Sequence, residues 1–198
     1  MLLATAPAVD AGKKERKVSA YAPATDLEGA PTHGEFGWLL EGQGYQLRLL
    51  QLDDDERADY ILETTGSRTD PFATPQGPPR FMTFLVEVTN LASSDLSLRV
   101  EDCWLIGGKK TKVQYPIDLQ TLKTNLRMLG REFPPAYEQA GKALLASQVR
   151  PGPGETVSGL LIYRYVSHNT RQFTVELRPM LPMGQVGVHR APYRRVKR

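Results

Sequence analysis

The chain has 198 residues, 40% of them hydrophobic, and includes 15 prolines and 17 glycines. This composition predicts one folded domain with many turns and excludes a disordered protein. Its apolar runs are shorter than the roughly eighteen residues of a membrane-spanning helix, so no transmembrane segment is predicted. The net charge of +3 originates at the C-terminus, because the last nine residues contain five basic side chains and no acidic one.

The first third of the chain is predicted to begin as a tether and to continue as short strands. Residues 1–34 lack periodicity, which favours a flexible terminus or the remainder of a signal peptide. Apolar residues then alternate on both sides of a Gly-Gln-Gly turn at 42–44, and a one-residue slip at Leu49–Leu50 predicts a β-bulge. The acidic run 53–56 is typical of a turn, and residues 60–62 are typical of a further strand.

The strongest pattern lies between Phe81 and Tyr115. Apolar and polar residues alternate through two successive runs with a polar turn between them, which predicts an antiparallel hairpin with one buried face. A proline-rich loop, residues 66–79, leads into this hairpin, and loops of that length are usually functional or mobile. A second apolar block at 157–177 is predicted to pair with the first, and its initial strand has the composition of one covered on both faces.

Residues 118–146 interrupt the strands with a predicted helical insert. Four leucines recur at helical spacing between a candidate N-cap, Asp118, and a candidate stop, Gly130. Amphipathic helices mostly cover their own core, so we expect the insert to pack on the sheets. Insertion of its apolar stripe into a groove of a partner is the alternative.

The last residues, 190–198, are predicted to form a basic tail. Its five cations are the candidate partner-binding residues of the sequence: Arg190, Arg194, Arg195, Lys197 and Arg198. Such a tail can hold an anionic surface, whether lipid headgroup, nucleic acid or acidic polymer, and it can equally be a solvated terminus.

Two blocks of the sequence resemble a known family. They read FLVEVTNLASSDLSLRVEDCWLIGGKKTKVQY at 84–115 and VRPGPGETVSGLLIYRYVSHNTRQFTVEL at 149–177. Together they are similar to the immunoglobulin-like domains of bacterial secreted proteins and lipoproteins, the telokin-like antigens and their relatives. The resemblance implies an all-β fold, an Ig-like antiparallel β-sandwich of about seven to nine strands over residues 35–189. It also implies an extracytoplasmic location, in the periplasm, at the outer membrane or outside the cell, and it carries no catalytic residue.

Motifs of catalytic and metal-binding side chains are absent from the sequence. The three histidines are far apart, and the single cysteine, Cys103, can form neither an internal disulfide nor a structural zinc site. No serine-nucleophile motif and no phosphate-binding loop occurs. We therefore predict no metal, no cofactor and no enzymatic activity. Two alternatives stay open, which are carboxylates converging from distant strands and a sugar-stacking pair formed by Tyr163 and Tyr165.

The predicted function is that of a non-enzymatic interaction or structural module of a bacterial envelope or secreted assembly. It would bind a protein partner through a sheet edge, the loop at 66–79 or the helical insert. The first alternative is an anionic-surface binder that acts through the basic tail. The second is a carbohydrate-binding sandwich.

Overall fold

A computed structural model describes residues 20–34, 37–74, 79–107, 112–167 and 169–196. Within these ranges the strands are β1 (Ala20–Pro23), β2 (Thr32–Gly34), β3 (Gly37–Gly42), β4 (Tyr45–Leu52), β5 (Phe81–Asn90), β6 (Leu98–Arg99), β7 (Cys103–Gly107), β8 (Lys112–Gln114), β9 (Gln148–Val149), β10 (Thr156–Arg164), β11 (Gln172–Leu177) and β12 (His189–Val196). The helices are α1 (Asp54–Thr65), α2 (Leu119–Met128) and α3 (Ala136–Ala140).

Two five-stranded antiparallel sheets form the body of the described chain. The first sheet has the strand order β1-β12-β11-β7-β8, and the second has the order β10-β5-β4-β3-β2. Strands β6 and β9 form a separate short pair. The prediction of an all-β protein with a helical insert is confirmed, and the strands outnumber the expected seven to nine because several contain only two to four residues.

The main core lies between the two sheets. Trp38 and Phe84 enter it from the second sheet, and Phe173 and Tyr193 enter it from the first, each with no more than 1% of its surface exposed. The Phe84 ring meets the Tyr193 ring nearly edge-on at 5.4 Å, and Phe173 stacks on Tyr193 at 5.1 Å. Such ring pairs add about 0.5–1.5 kcal/mol each to the free energy gained by burial.

A second apolar cluster covers the outer face of the second sheet. Ile61 of α1, Leu122 of α2 and Ala140 of α3 pack there with Leu160 and Ile162 of β10. The expectation that the helical insert packs on the sheets is therefore confirmed. It also follows that all three helices lie on this one face, because each contributes a buried residue to the same cluster.

The two clusters explain the apolar slip at Leu49–Leu50. Leu47 and Leu49 face the main core, whereas Leu50 and Leu52 face the helices. The pairing of β4 with β5 continues residue by residue through this position to Leu52, and the pairing with β3 is regular up to Leu49, where it ends, so the predicted bulge is wrong. The slip marks the point where the strand changes from one buried face to two.

The hairpin predicted between Phe81 and Tyr115 is wrong as well. Strand β5 pairs with β4 and β10 in the second sheet, whereas β7 pairs with β8 and β11 in the first. After β5 the chain therefore leaves the second sheet for the first. The buried Asn90 side chain stabilises this connection, because its Nδ2 donates to the carbonyl oxygens of Ser94 (2.9 Å) and Pro151 (3.1 Å). The pairing predicted between the two apolar blocks is present, since β10 pairs with β5 from Thr156 to Arg164.

Helix α1 replaces the turn predicted at 53–56 and the strand predicted at 60–62. Asp53 Oδ1 accepts the backbone N–H groups of Asp55 (3.0 Å) and Glu56 (2.9 Å), and Glu56 Oε2 accepts the N–H of Asp53 (2.8 Å). These reciprocal bonds form a capping box, which satisfies the first free N–H groups of a helix. The spacing Asp-x-x-Glu in the sequence therefore indicates the start of a helix.

Both ends of the described chain differ from the prediction. Residues 20–23 form β1, which pairs with β12, and residues 32–34 form β2, which pairs with β3, so this part of the expected tether belongs to the sheets. Arg190 to Val196 is sheet as well, because the backbone of β12 is paired on one side with β1 and on the other with β11. Residues 1–19 lie outside the described residues.

Candidate functional site

Strand β12 carries three of the five predicted binding cations. Ala191 and Tyr193 point into the core, so the alternate residues Arg190 and Arg194 lie on the outer face of the first sheet. Arg195 lies near Tyr21 and Tyr165. Burial raises the pKa of both tyrosine hydroxyls, and the positive charge of Arg195 partly offsets this rise. Lys197 and Arg198 lie outside the described residues.

Ion pairs occupy the outward-facing arginines. Arg190 Nε lies 2.8 Å from Glu176 Oε2, and Arg194 Nη1 lies 2.6 Å from Asp26 Oδ2. Arg178 Nε donates to the other Glu176 oxygen at 2.6 Å, so two guanidinium groups share one carboxylate. These acceptors reduce the positive charge that the outer face offers to an anionic ligand, which weighs against the anionic-surface alternative for the described residues.

Glu176 is the buried centre of this group, with 1% of its surface exposed. Burial by itself raises the pKa of its carboxyl group. Hydrogen bonds and charge from Arg190 and Arg178 outweigh that effect, so the pKa lies below its ordinary value. The Arg178 guanidinium also stacks 3.6 Å from the centre of the Trp104 ring, whose Nε1 donates to the Glu101 carbonyl oxygen at 2.8 Å. Trp104 therefore makes a cation–π contact with Arg178 beside Glu176.

An apolar surface lies where the segments 90–97 and 179–188 meet. Reciprocal backbone hydrogen bonds between Ser97 and Met180, of 3.0 and 2.7 Å, join the two segments. We call it the apolar end surface, and its exposed side chains are Leu91 (63%), Met180 (37%), Met183 (93%), Val186 (54%) and Val188 (50%). A groove of about 460 Å³ includes Met180 and Met183 in its lining, together with other residues of both segments, Gln148 and residues 150–153.

Met183 is the most exposed of these side chains, and its backbone is strained. Its φ of 60° lies in the left-handed region, which non-glycine residues adopt at a cost of about 1 kcal/mol. Sequence reasoning missed this surface. The available signal is residues 179–188, a mostly apolar stretch of ten residues without a charged side chain.

The proline-rich loop is anchored over its described residues, 66–74. Phe72 is buried in the second cluster, and Asp70 Oδ2 lies 2.8 Å from Nε and 2.7 Å from Nη2 of the buried Arg57. Only the Nε contact has the alignment of a hydrogen bond, and Nη1 donates to Asp54 (2.8 Å) and Thr83 (3.2 Å). With the helical insert also packed down, two of the predicted binding segments make their contacts inside the protein.

The other sequence candidates are buried or not brought together. Tyr163 is fully buried and donates its hydroxyl to the Cys103 carbonyl oxygen (3.2 Å), so it cannot stack on a sugar beside Tyr165. Burial raises the pKa of the Cys103 thiol, which disfavours its reactive thiolate form. Within the described ranges, no three His, Cys, Asp or Glu side chains are placed to hold a metal ion. None of the described helices is long and apolar enough to cross a membrane.

Comparison with known proteins gives little beyond this geometry. No family model and no curated protein matches the chain. Solved structures that are similar include the yjhA protein from Bacillus subtilis, with a TM-score of 0.31 and 12% identity over 48% of this chain and 56% of that one. A FixG-related protein from Vibrio parahaemolyticus has a TM-score of 0.33 and 7% identity, over 75% of this chain and 94% of that one. Similarities this low carry no argument about fold or function.

Proposed function

We propose that this chain is a non-enzymatic interaction module of a bacterial envelope or secreted assembly, and that it binds a protein partner through the apolar end surface. The exposure of Met183, together with four further apolar side chains on the same two segments, is the observation that supports this function. Exposed apolar side chains grouped on two joined segments are typical of interaction sites when they form one patch. Methionine suits such a surface because its flexible thioether adapts to different partner shapes.

The strand connections support an Ig-like sandwich as the scaffold of this module. Strands β5, β7, β8, β10, β11 and β12 follow the order B, C, C′, E, F and G of an immunoglobulin domain, with β4 in the place of A. The place of strand D, on the free edge of β10, is taken by Ile117 and Leu144–Leu145, whose backbones bond to β10. In this reading the helical insert substitutes for one strand of the family pattern.

The backbone strain at Met183 allows a test that separates binding from folding. Met183→Gly removes the exposed side chain, and glycine adopts a positive φ without strain. The relief of about 1 kcal/mol offsets the extra entropy that glycine gives the unfolded chain, so stability is expected to change by less than about 0.5 kcal/mol. Association with the partner is expected to be lost.

In the experiment, a photo-crosslinking residue replaces Val186 in two chains, one otherwise unchanged and one that also carries Met183→Gly. Both chains are expressed in the source cells. A matched probe at position 128 tests another exposed methionine, which is 73% exposed on α2. A discrete adduct at 186 that disappears with Met183→Gly and is absent at 128 is the expected result. Identical adducts at 186 and 128, or an adduct that persists in Met183→Gly, would contradict the proposal.

A further inference from the structure

A cleft of about 710 Å³ opens between the two sheets beside the start of α1. The first sheet contributes Tyr21 and Tyr193 to its lining, and Tyr165 follows β10 at its border. The second sheet contributes the end of β4, and α1 adds the run of consecutive carboxylates at 53–56. The cleft is separate from the apolar end surface, since the two linings share no residue among those described.

The lining is strongly acidic. Its described residues include four carboxylates, no lysine and no arginine, and His33 is the one basic side chain among them. Two cations lie near the lining: Arg57 is buried and paired with Asp54 and Asp70, and Arg195 is close to the Tyr21 and Tyr165 hydroxyls at the border of the cleft. Asp53 and Glu56 are engaged in the capping box of α1. The Asp55 carboxylate makes no hydrogen bond or ion pair with the described residues, since it is the backbone N–H of Asp55 that bonds to Asp53, so the carboxylate can pair with a ligand.

A second observation points to a ligand independently of charge. The Tyr193 hydroxyl and Gln51 Oε1 are buried and have no hydrogen-bond partner, and both residues line the cleft. Tyr193 is only 1% exposed. A buried polar atom without a partner costs about 1–3 kcal/mol, so such atoms usually mark a missing partner. Both oxygens can accept a hydrogen bond, and a ligand that carries N–H donors would satisfy them.

The described acidic groups do not converge on a metal ion, because no three of them are placed to hold one. A cation with directional N–H donors and an apolar body fits better. A primary ammonium group has three donors and no acceptor, which matches carboxylate, amide and phenol oxygens. Tyrosine faces attract such a cation by about 0.5–2 kcal/mol, and Phe81 and Met82 in the lining offer apolar surface to an alkyl chain.

We propose that this cleft binds an organic cation, a primary ammonium group on an alkyl chain. The Asp55 carboxylate pairs with its charge, the oxygens of Gln51 and Tyr193 are the candidate acceptors for its N–H groups, and the apolar part of the lining receives its chain. The ammonium group comes either from a free aliphatic amine or from a lysine side chain, which present the same chemistry. This inference does not depend on the proposed interaction function, because Met183→Gly leaves the cleft unchanged.

The test titrates four probes of matched length into the full chain by calorimetry: pentylamine, 1,5-diaminopentane, pentan-1-ol and Nα-acetyl-lysine-N-methylamide. Pentylamine is expected to bind about tenfold or more tightly than pentan-1-ol, because both can donate a hydrogen bond to the carboxylate but only the ammonium group brings a positive charge to it. Stronger binding of the diamine would identify a free amine as the source, and stronger binding of the capped lysine would identify a protein side chain. Either result supports the ammonium site. Equal binding of pentylamine and pentan-1-ol, or no binding of either amine up to about 10 mM, overturns it.

Two variants with matched controls locate the site. Asp55→Asn is expected to weaken pentylamine binding about threefold to tenfold, whereas Asp59→Asn, one turn further along α1 and outside the lining, is expected to change it less than about twofold. Tyr193→Phe is expected to weaken binding while leaving the melting temperature unchanged or higher, because its hydroxyl makes no bond inside the protein. Tyr163→Phe is the control, since it loses the bond to the Cys103 carbonyl and should lower only stability. Equal effects of Asp55→Asn and Asp59→Asn contradict the site.

Discussion

Glu176 keeps its charge at a position where only 1% of its surface meets solvent. A buried carboxylate is unfavourable unless neighbouring groups replace the lost water, and here Arg178 and Arg190 each donate to one of its oxygens. Both arginines keep contact with solvent, with 32% and 69% of their side chains exposed. The carboxylate therefore relies on the two arginines for its solvation, whereas each arginine is still partly solvated by water.

This asymmetry predicts a pH-dependent contribution to stability. Because the folded pKa of Glu176 is below its ordinary value of 4.5, its contribution is present above pH 4.5 and is lost as the pH falls through the folded pKa. Glu176→Gln is expected to lower the free energy of unfolding by about 1–3 kcal/mol at pH 7 and by less at acidic pH. Urea denaturation between pH 3 and 7 measures the difference between variant and wild type.

The matched control is Glu87→Gln. Glu87 pairs with Arg48 at 3.5 Å, and both side chains are about one-third exposed, so this pair should contribute less than about 1 kcal/mol. A difference between wild type and Glu176→Gln that stays constant from pH 3 to 7 would contradict the assignment of the titration to this carboxyl.

At the scale of single residues, the sequence predicts which side chains are buried better than it predicts which side chains form ion pairs. The alternation between Phe81 and Tyr115 predicted one buried face, and Phe84 and Val86 of β5 are buried accordingly. Alternation at the ends of this segment of β12 was also readable, since Ala191 and Tyr193 are apolar while Arg190 before them and Arg194 after them are charged. The ion pairs of these arginines could not be predicted, because Asp26 and Glu176 reach them only through the pairing of separate strands.

At the scale of elements, β10 shows how an edge strand is protected. It is the last strand of its sheet and is apolar on both faces, a combination that invites pairing with another chain. The Leu145 N–H donates to the Leu160 carbonyl oxygen (3.0 Å), and the Ile117 N–H donates to the Ile162 carbonyl oxygen (2.6 Å). The ends of the helical insert thus cover the edge, and Gly159 makes this close approach possible.

Gly159→Ala is expected to destabilise the protein. A Cβ at this position would lie 2.6 Å from Leu145 Cα and 2.7 Å from Leu145 N, and these backbone atoms cannot move without disturbing the bond to Leu160. Overpacking of this kind costs about 1–3 kcal/mol, which thermal denaturation can detect. Gly34→Ala is the control, because a Cβ there meets no atom within 4 Å and its φ is not positive. Equal melting temperatures for the two variants would contradict this account.

A helix or strand could be predicted where the capping residues and the apolar spacing agreed. It could not be predicted where two sequence patterns indicated different structures. Asp118 caps α2 by accepting the Thr121 N–H at 2.6 Å, and Gly130 ends it with a φ of 66° and a Schellman pair of bonds from Gly130 and Arg131 to Arg127 and Leu126. For α1, the Tyr-Ile-Leu run resembles a strand and concealed the capping box. The turn after β5 was misassigned because a polar stretch between alternating runs looks the same in a hairpin and in a crossing between sheets.

At the scale of the whole molecule, the two apolar clusters share the strands of the second sheet. Strand β10 sends Leu161 and Tyr163 into the main core, and Leu160 and Ile162 under the helices. The all-β class could be predicted because alternation is local to each strand. The order of strands and the candidate cleft could not be predicted, because both depend on segments far apart in sequence coming together, as Tyr193 and Gln51 do in the lining of the cleft.

Because the two clusters share strands, we predict that the three helices and the main core unfold together. Leu122→Ala is expected to lower the free energy of unfolding by about 2–4 kcal/mol, because Leu122 is only 6% exposed in the second cluster. Far-UV circular dichroism reports helices and sheets, and the fluorescence of Trp38, in a Trp104→Phe background, reports the main core. Both signals should shift to the same lower urea midpoint with an unchanged slope. Leu129→Ala, on the same insert but 66% exposed, should change the midpoint little. If the circular dichroism signal of Leu122→Ala fell at lower urea than the fluorescence of Trp38, the helices would form a separate layer, and their packing would not be coupled to the core through the second sheet.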